Sequence, residues 1–212
     1  MKKFAVIGSP VLHSLSPKIH LDFAKKLDIE ITYEAIEVSK NSFVRKVKKM
    51  FEEGYDGINV TLPLKELAYQ LAEEITTRGI EAQAVNTLWM RKNKICADST
   101  DGIGLIEDFN QNSIEIKNSK ILLLGAGGAA RSILPSLLSK EPDTITIFNR
   151  TASKSKALTK LFNKTKTEVY DSGPGKSTKQ DFTGIINASS AELLNNKAVL
   201  PRNIFDQALW VY

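Results

Sequence analysis

Cysteine is almost missing from this chain of 212 residues, with Cys96 the only one. A lone cysteine makes no internal disulfide. Its neighbours Ile95 and Ala97 suggest a strand, where it serves as a small core side chain. Neither a helix start nor an adjacent base is there to activate it as a thiolate. Histidine is nearly as scarce, with only His13 and His20, and no metal is expected. No apolar run approaches the ~20 residues that span a bilayer. The opening Met1-Lys2-Lys3 and the apolar residues 4–7 start like a secretion signal, but the apolar stretch is too short. It reads as a first strand, and a cytoplasmic protein is expected. Neither sign of charge dominates: 29 basic and 24 acidic residues leave a net +5. That balance suits anionic small ligands. It is too diffuse for a nucleic-acid footprint, because acids interleave with the bases and no aromatic platform accompanies them. The densest basic run, residues 45–49, shares a helical pattern with Phe43, Val44, Val47 and Phe51 and reads as a solvated face. Small-molecule partners are expected, with no membrane and no nucleic acid.

What is present is an ordinary globular composition, 42% apolar and 25% charged. A chain of this length buries about 70% of its unfolded surface, so it needs no covalent staples. Strand and helix patterns alternate almost throughout, which predicts an α/β fold. Strands are predicted at residues 3–7, 32–36, 57–60, 84–90, 94–97, 121–124, 144–148, 167–170, 184–187 and 209–212. Helices are predicted at 17–27, 41–53, 64–73, 102–110, 131–139 and 152–163. Two domains are expected, 1–101 and 102–212, joined within residues 101–118. Residues 171–180, rich in Gly, Ser and Lys, read as a mobile loop. The second domain ends on an apolar strand with no closing helix, and so reads as truncated at its C-terminal end or unusually short.

A glycine-rich turn carries the first functional signal. The buried-strand pattern of residues 121–124 runs into Gly125-Ala126-Gly127-Gly128-Ala129-Ala130 and then into a helix. Strand, G-x-G-x-x-A turn and helix make a dinucleotide-binding fingerprint. The first glycine allows the turn, the second lets a pyrophosphate approach the backbone, and the helix start offers free N–H groups. An NAD site places an acid about twenty residues later. Here the second strand ends in Asn149-Arg150-Thr151, with Lys154 close behind. Two charged hydrogen bonds to a 2′-phosphate, each about 1.5–3 kcal/mol, favour NADP by roughly two to four powers of ten. The bland alternative is a pair of solvated charges at a helix start.

Polar clusters follow the strands of the first half. In Ser14-Leu15-Ser16-Pro17 two hydroxyls can grip one carboxylate, although Ser before Pro also reads as a helix N-cap. His20 falls in the first helix turns, where a packing role is the default. The segment Asn59-Val60-Thr61-Leu62-Pro63-Leu64-Lys65 puts a cation at a helix start, against the macrodipole. Either a ligand calls for it or the side chain bends into solvent. Ala84-Val85-Asn86-Thr87 and Asp98-Ser99-Thr100-Asp101-Gly102 complete the set, with Asp101 a candidate N-cap. Lysine, asparagine and aspartate from three strand ends can hold a polyhydroxy ring and move a proton.

Together these motifs resemble shikimate dehydrogenase, which carries G-x-P-x-x-H-S-x-S-P, N-V-T-x-P-x-K, A-V-N-T, N-T-D-G-x-G, G-A-G-G-A and N-R-T in this order. The resemblance covers nearly the whole chain. It implies an N-terminal α/β substrate domain followed by a Rossmann-like NADP-binding domain with a parallel sheet. It implies reversible NADPH-dependent reduction of 3-dehydroshikimate to shikimate, in aromatic amino-acid biosynthesis, by a monomer or homodimer. By this resemblance Ser14, Ser16, Thr61, Lys65, Asn86 and Asp101 bind substrate, and Lys65 and Asp101 form the catalytic pair. Gly125, Ala126, Gly127, Gly128 and Ala129 hold the pyrophosphate. Asn149, Arg150, Thr151 and Lys154 hold the 2′-phosphate region, and Asn187, Ala188 and Ser189 lie beside the nicotinamide. Whether Lys65 donates a proton or stabilises charge stays open.

The chain departs from that pattern at Leu21, at Ser99 and at Ser190-Ala191-Glu192, and it stops before the family's C-terminal tail. Tyr212 is not assigned a role. The alternatives are a quinate/shikimate dehydrogenase using NAD or NADP, the architecturally similar methylenetetrahydrofolate dehydrogenase, which lacks the double-serine loop, and a nonenzymatic NADP-binding module.

Overall fold

In the computed structural model, residues 1–163, 167–172, 181–189 and 202–212 are described. The Ser190-Ala191-Glu192 departure and residues 173–180 of the expected mobile loop lie outside them. The chain divides into two compact units, Met1–Thr100 and Asp101–Tyr212.

The first unit is built on strands β1 (Lys2–Gly8), β2 (Ile31–Glu37), β3 (Gly57–Val60), β4 (Glu74–Ile75), β5 (Thr87–Arg91) and β6 (Lys94–Asp98). They form one mixed sheet in the order β2-β1-β3-β5-β6-β4. Strands β1, β2 and β3 run parallel, β5 is antiparallel to β3 and β6, and β4 is parallel to β6. The carboxyl ends of β1, β3 and β6 therefore share one edge with the start of β5. Helices α1 (Ser16–Lys26), α2 (Phe43–Glu52), α3 (Lys65–Leu71) and α4 (Thr77–Ala82) connect them. Helix α2 shows why such segments pack. Phe43, Val47 and Met50 recur at helical spacing and are fully buried, while the basic residues face outward. Cys96 is a buried strand residue, as its neighbours suggested.

The second unit starts with α5 (Asp101–Gln111) and continues through β7 (Lys120–Leu124), α6 (Gly128–Leu138), β8 (Thr144–Phe148), α7 (Ala152–Phe162), β9 (Glu168–Ser172), β10 (Gly184–Asn187) and β11 (Trp210–Val211). Its sheet, β11-β10-β7-β8-β9, is parallel throughout. Strand order reverses between β7 and β10. That crevice is where open α/β sheets bind nucleotides. Ile121, Leu122, Leu123 and Leu124 are all buried, as a strand covered on both faces requires.

Several boundaries move from the sequence reading. The predicted strand at 84–90 begins only at Thr87, with Ala84 and Val85 buried in the approach to it. The predicted helix at 64–73 ends at Leu71. A two-residue strand and a six-residue helix follow, both too short to leave a periodic signal. Helix α6 starts at Gly128, three residues before the predicted start.

Candidate functional site

In the first unit, three loops gather at one sheet edge. The loop leaving β1 is tied to the loop leaving β3, because Ser9 N–H donates to the Leu62 carbonyl at 3.0 Å. Val60 N–H donates to the Asn86 carbonyl at 2.8 Å, and Asn86 N–H to the Asp98 carbonyl at 3.0 Å. The backbone thus brings Ser14, Ser16, Thr61, Lys65, Asn86 and Thr100 to the same end of the sheet.

The serine loop is ordered by its own hydroxyls. Ser14 Oγ donates to Ser16 Oγ at 3.1 Å and accepts from Ser16 N–H at 3.2 Å. The N-cap reading of Ser16 is not what forms: Leu15 occupies the cap position without a side-chain cap bond, and the N–H of Ser16, the first helical residue, is taken by Ser14 Oγ. Ser16 instead opens the helix and turns its hydroxyl toward Ser14. Both serines are half-buried, so they are reachable by a small anionic ligand.

Lys65 is the first residue of α3, and its carbonyl accepts from Val85 N–H at 3.1 Å. That bond ties the start of the lysine helix to the segment carrying Asn86. Asn86 is held at both ends of its amide. Its Nδ2 donates to Thr100 Oγ1 at 2.9 Å, and its Oδ1 accepts from Thr100 N–H at 3.1 Å. Asp98, just upstream, is 9% exposed. Its carboxylate accepts from Thr76 Oγ1 at 2.6 Å, Arg78 Nε at 2.7 Å and Ser99 N–H at 2.7 Å, with a second close contact from Arg78 Nη2. Burial pushes this carboxyl up. The bonds from Arg78, Thr76 and Ser99, with the guanidinium charge, outweigh it and hold the group below the ordinary carboxylate value. From this clamp the chain passes through Ser99 and Thr100 to Asp101. Asp101 is the first residue of α5 rather than a cap preceding it.

Two members of this cluster were given no role by the sequence, Asn59 within its second polar segment and Tyr33 outside all three. Asn59, on β3, donates to the Asn86 carbonyl and to Thr87 Oγ1, each at 3.3 Å. Tyr33, on β2, donates to Asn59 Oδ1 at 2.6 Å. Asn59 could have been suspected, as a polar residue inside the apolar strand Gly57-Ile58-Asn59-Val60. Nothing in the pattern of β2 marks Tyr33. His20 packs as expected, stacked on Tyr33 with ring centroids 4.2 Å apart.

In the second unit, the glycine turn sits at the strand-order reversal. Gly125 has φ +108, a conformation that favours glycine, and a Cβ there would lie 2.7 Å from the Ala188 carbonyl oxygen. Gly125 N–H donates to the Phe148 carbonyl at 2.8 Å, and Ala188 N–H to the Leu124 carbonyl at 2.9 Å. Those bonds draw together the ends of β7, β8 and β10, which carry the three cofactor segments of the sequence reading. A Cβ at Gly127, by contrast, meets nothing within 4 Å among the described residues. Gly127 is the N-cap of α6 and, being glycine, brings no side-chain cap to the helix start. Open space beside the N–H groups of a helix start fits a pyrophosphate. Arg150, Thr151 and Lys154 are exposed beyond β8. Asn149 Nδ2 is committed to the Thr151 carbonyl at 2.9 Å. Beyond β10, Asn187 Oδ1 accepts from Ser189 N–H at 3.1 Å and Ser189 Oγ at 2.7 Å, which fixes that turn. The residues present therefore fit a phosphorylated dinucleotide.

Comparison with known proteins agrees with both halves. Residues 6–88 match the family model described as the shikimate dehydrogenase substrate binding domain, and residues 108–203 match shikimate / quinate 5-dehydrogenase. The chain is 42% identical over 212 residues to a shikimate dehydrogenase (NADP(+)) of Legionella pneumophila (strain Lens), covering all of this chain and 78% of that protein. Among solved structures, an Ael1 enzyme from Pseudomonas putida superposes with a TM-score of 0.85 at 35% identity, covering 100% of this chain and 78% of that one. A shikimate 5-dehydrogenase from Thermus thermophilus, in complex with NADP(H) and shikimate, superposes with a TM-score of 0.77 at 29% identity, covering 90% and 69%.

Proposed function

The chain belongs to the shikimate dehydrogenase family, and on that premise we propose that it catalyses the reversible NADPH-dependent reduction of 3-dehydroshikimate to shikimate. The observation that carries this reading is the convergence, at one sheet edge, of the paired serines, the helix-opening lysine and the clamped Asn86.

The side chains divide the work by chemistry. Ser14 and Ser16 offer two hydroxyl donors to the substrate carboxylate. Thr61 and Asn86 offer donors and acceptors to ring hydroxyls. Bound NADPH supplies the hydride that reduces the ring ketone. Lys65 then meets the charge developing on the ketone oxygen, either handing it a proton or stabilising it as an ammonium. Asp101 orients the lysine and accepts from the adjacent hydroxyl. In the second domain, residues 125–129 bind the pyrophosphate. Asn149, Arg150, Thr151 and Lys154 take the 2′-phosphate region, and Asn187, Ala188 and Ser189 flank the nicotinamide. The substrate and cofactor domains are taken as 1–101 and 102–212. We place the enzyme in the cytoplasm, as a monomer or homodimer.

The matching family model also bears the name of quinate. Arg150 in place of an acid favours NADP, while serines suited to a carboxylate serve shikimate and quinate alike. Initial rates of cofactor reduction with shikimate or quinate, each against NADP⁺ or NAD⁺, test the assignment. The shikimate and NADP⁺ pair is expected to give the highest kcat/KM. NADP⁺ binding with no turnover of either acid would leave only a cofactor-binding module.

A further inference from the structure

Tyr33 is buried at 7% exposure, yet it is a polar residue on a strand two places from β3. Its ring reaches across β1, over the face where Val6 and Val11 pack, and brings its hydroxyl to Asn59. The direction of that bond is fixed. Asn59 Nδ2 faces the Asn86 carbonyl, which can only accept, so this atom is the amide nitrogen. Asn59 Oδ1 then faces Tyr33, and the phenol must donate. With its proton committed, the phenol oxygen can only accept from its other side.

That other side belongs to the serine loop. His20 stacks on the Tyr33 ring with an interplanar angle of 18°. His20 Nδ1 bonds the Ser16 carbonyl at 2.9 Å. A carbonyl accepts, so this ring nitrogen carries the proton. The Ser16 hydroxyl acts on the same phenol: burial pushes the Tyr33 group up to about 12, and Ser16 partly offsets this. One side chain thus joins the loop after β1 to the amide that abuts Asn86.

We propose that Tyr33 is a positioning residue for substrate: through its donated bond to Asn59 and its stack with His20, it holds the carboxylate-binding serines in register with the hydroxyl-binding Asn86. The proposal rests on the shikimate reading of Ser14, Ser16 and Asn86. In this role Tyr33 acts through Asn59 and through the loop after β1. Its loss should therefore appear in substrate binding and not in the chemical step.

The test compares wild type, Tyr33→Phe, Asn59→Leu and the double variant in steady-state kinetics, with Tm recorded for each. Tyr33→Phe is expected to raise KM for shikimate about tenfold, the value of one buried hydrogen bond, and Asn59→Leu, which also removes the bonds to the Asn86 carbonyl and Thr87 Oγ1, at least as much. The kcat should stay within about threefold and KM for NADP⁺ should not move. The double variant should be no worse than the worse single, because the bond that Tyr33→Phe removes is already lost in Asn59→Leu. It also removes both partners, so it stays informative if Tyr33→Phe alone folds poorly. An unchanged shikimate KM in a folded Tyr33→Phe protein overturns the proposal. So does a parallel loss of kcat, both KM values and Tm, or a double variant whose KM multiplies the two singles. A wild type that neither turns over nor binds shikimate by calorimetry removes the functional reading, and the proposal with it.

Discussion

Arg78 grips Asp98 through two guanidinium nitrogens, one of them Nε at 2.7 Å, and the pair locks the end of β6 to the start of α4. Asp98 is nearly buried, whereas the Arg78 side chain is 44% exposed. The bond is therefore partly screened, and its worth lies in satisfying a buried carboxylate that would otherwise be costly. Asp98→Asn is expected to cost about 1–3 kcal/mol in urea unfolding at neutral pH. The pH dependence follows from the direction of the shift. The folded group sits below its ordinary value of 3.8, so its stabilising contribution is present above that value and is lost as pH falls through the folded value. Wild type should lose stability relative to Asp98→Asn on going from pH 5 toward pH 3, scales set by the ordinary carboxylate range of about 4. A stability gap that stays constant over that range would contradict the role given to the clamp.

Gly125 and Gly127 stand two residues apart in one turn, but the structure separates their roles. Gly125→Ala forces a side chain into φ +108 and against the Ala188 carbonyl. It should destabilise the protein by about 1–3 kcal/mol. Among the described residues a Cβ at Gly127 meets no atom within 4 Å beyond its chain neighbours, so thermal stability should be nearly unchanged in Gly127→Ala while NADP⁺ affinity falls. Differential scanning calorimetry paired with cofactor titration reads both. A Gly127→Ala protein with unaltered cofactor affinity would remove the pyrophosphate assignment.

Arg150 is exposed at the end of β8 with no acid in its place. Arg150→Ala should lower kcat/KM for NADP⁺ by about ten- to a hundredfold, the worth of one charged hydrogen bond. The value for NAD⁺ should change little, because NAD⁺ lacks the 2′-phosphate. Equal losses with both cofactors would mean the arginine serves the fold rather than selectivity.

Much of this was readable from residue order. The run of residues 121–124, the turn and the following helix follow from local chemistry: a buried strand, a residue needing positive φ, and a glycine at the helix start. The loop serines, Lys65 and Asn86 were legible because each lies beside a strand end. Other features depend on partners distant in the chain. Strand β4 exists because Glu74 and Ile75 pair with Cys96 and Ala97. Helix α4 is only six residues long, and its start is set by Thr76 Oγ1 accepting from Gly79 N–H at 3.3 Å. Tyr33 and Asn59 are separated by 26 positions, and only the β2-β1-β3 order makes them neighbours. Ser16 read as a cap because Pro17 follows it, yet the neighbouring Ser14 hydroxyl competes for it and prevails.

The most direct measurement is turnover of Lys65→Ala with shikimate and NADP⁺, alongside calorimetric binding of NADP⁺ to the same protein. Removing a group that meets charge at the reacting oxygen should lower kcat by at least about a hundredfold, with cofactor affinity and Tm unchanged. Wild-type turnover in this variant, or a cofactor affinity that falls in step with the rate, would contradict the place given to Lys65.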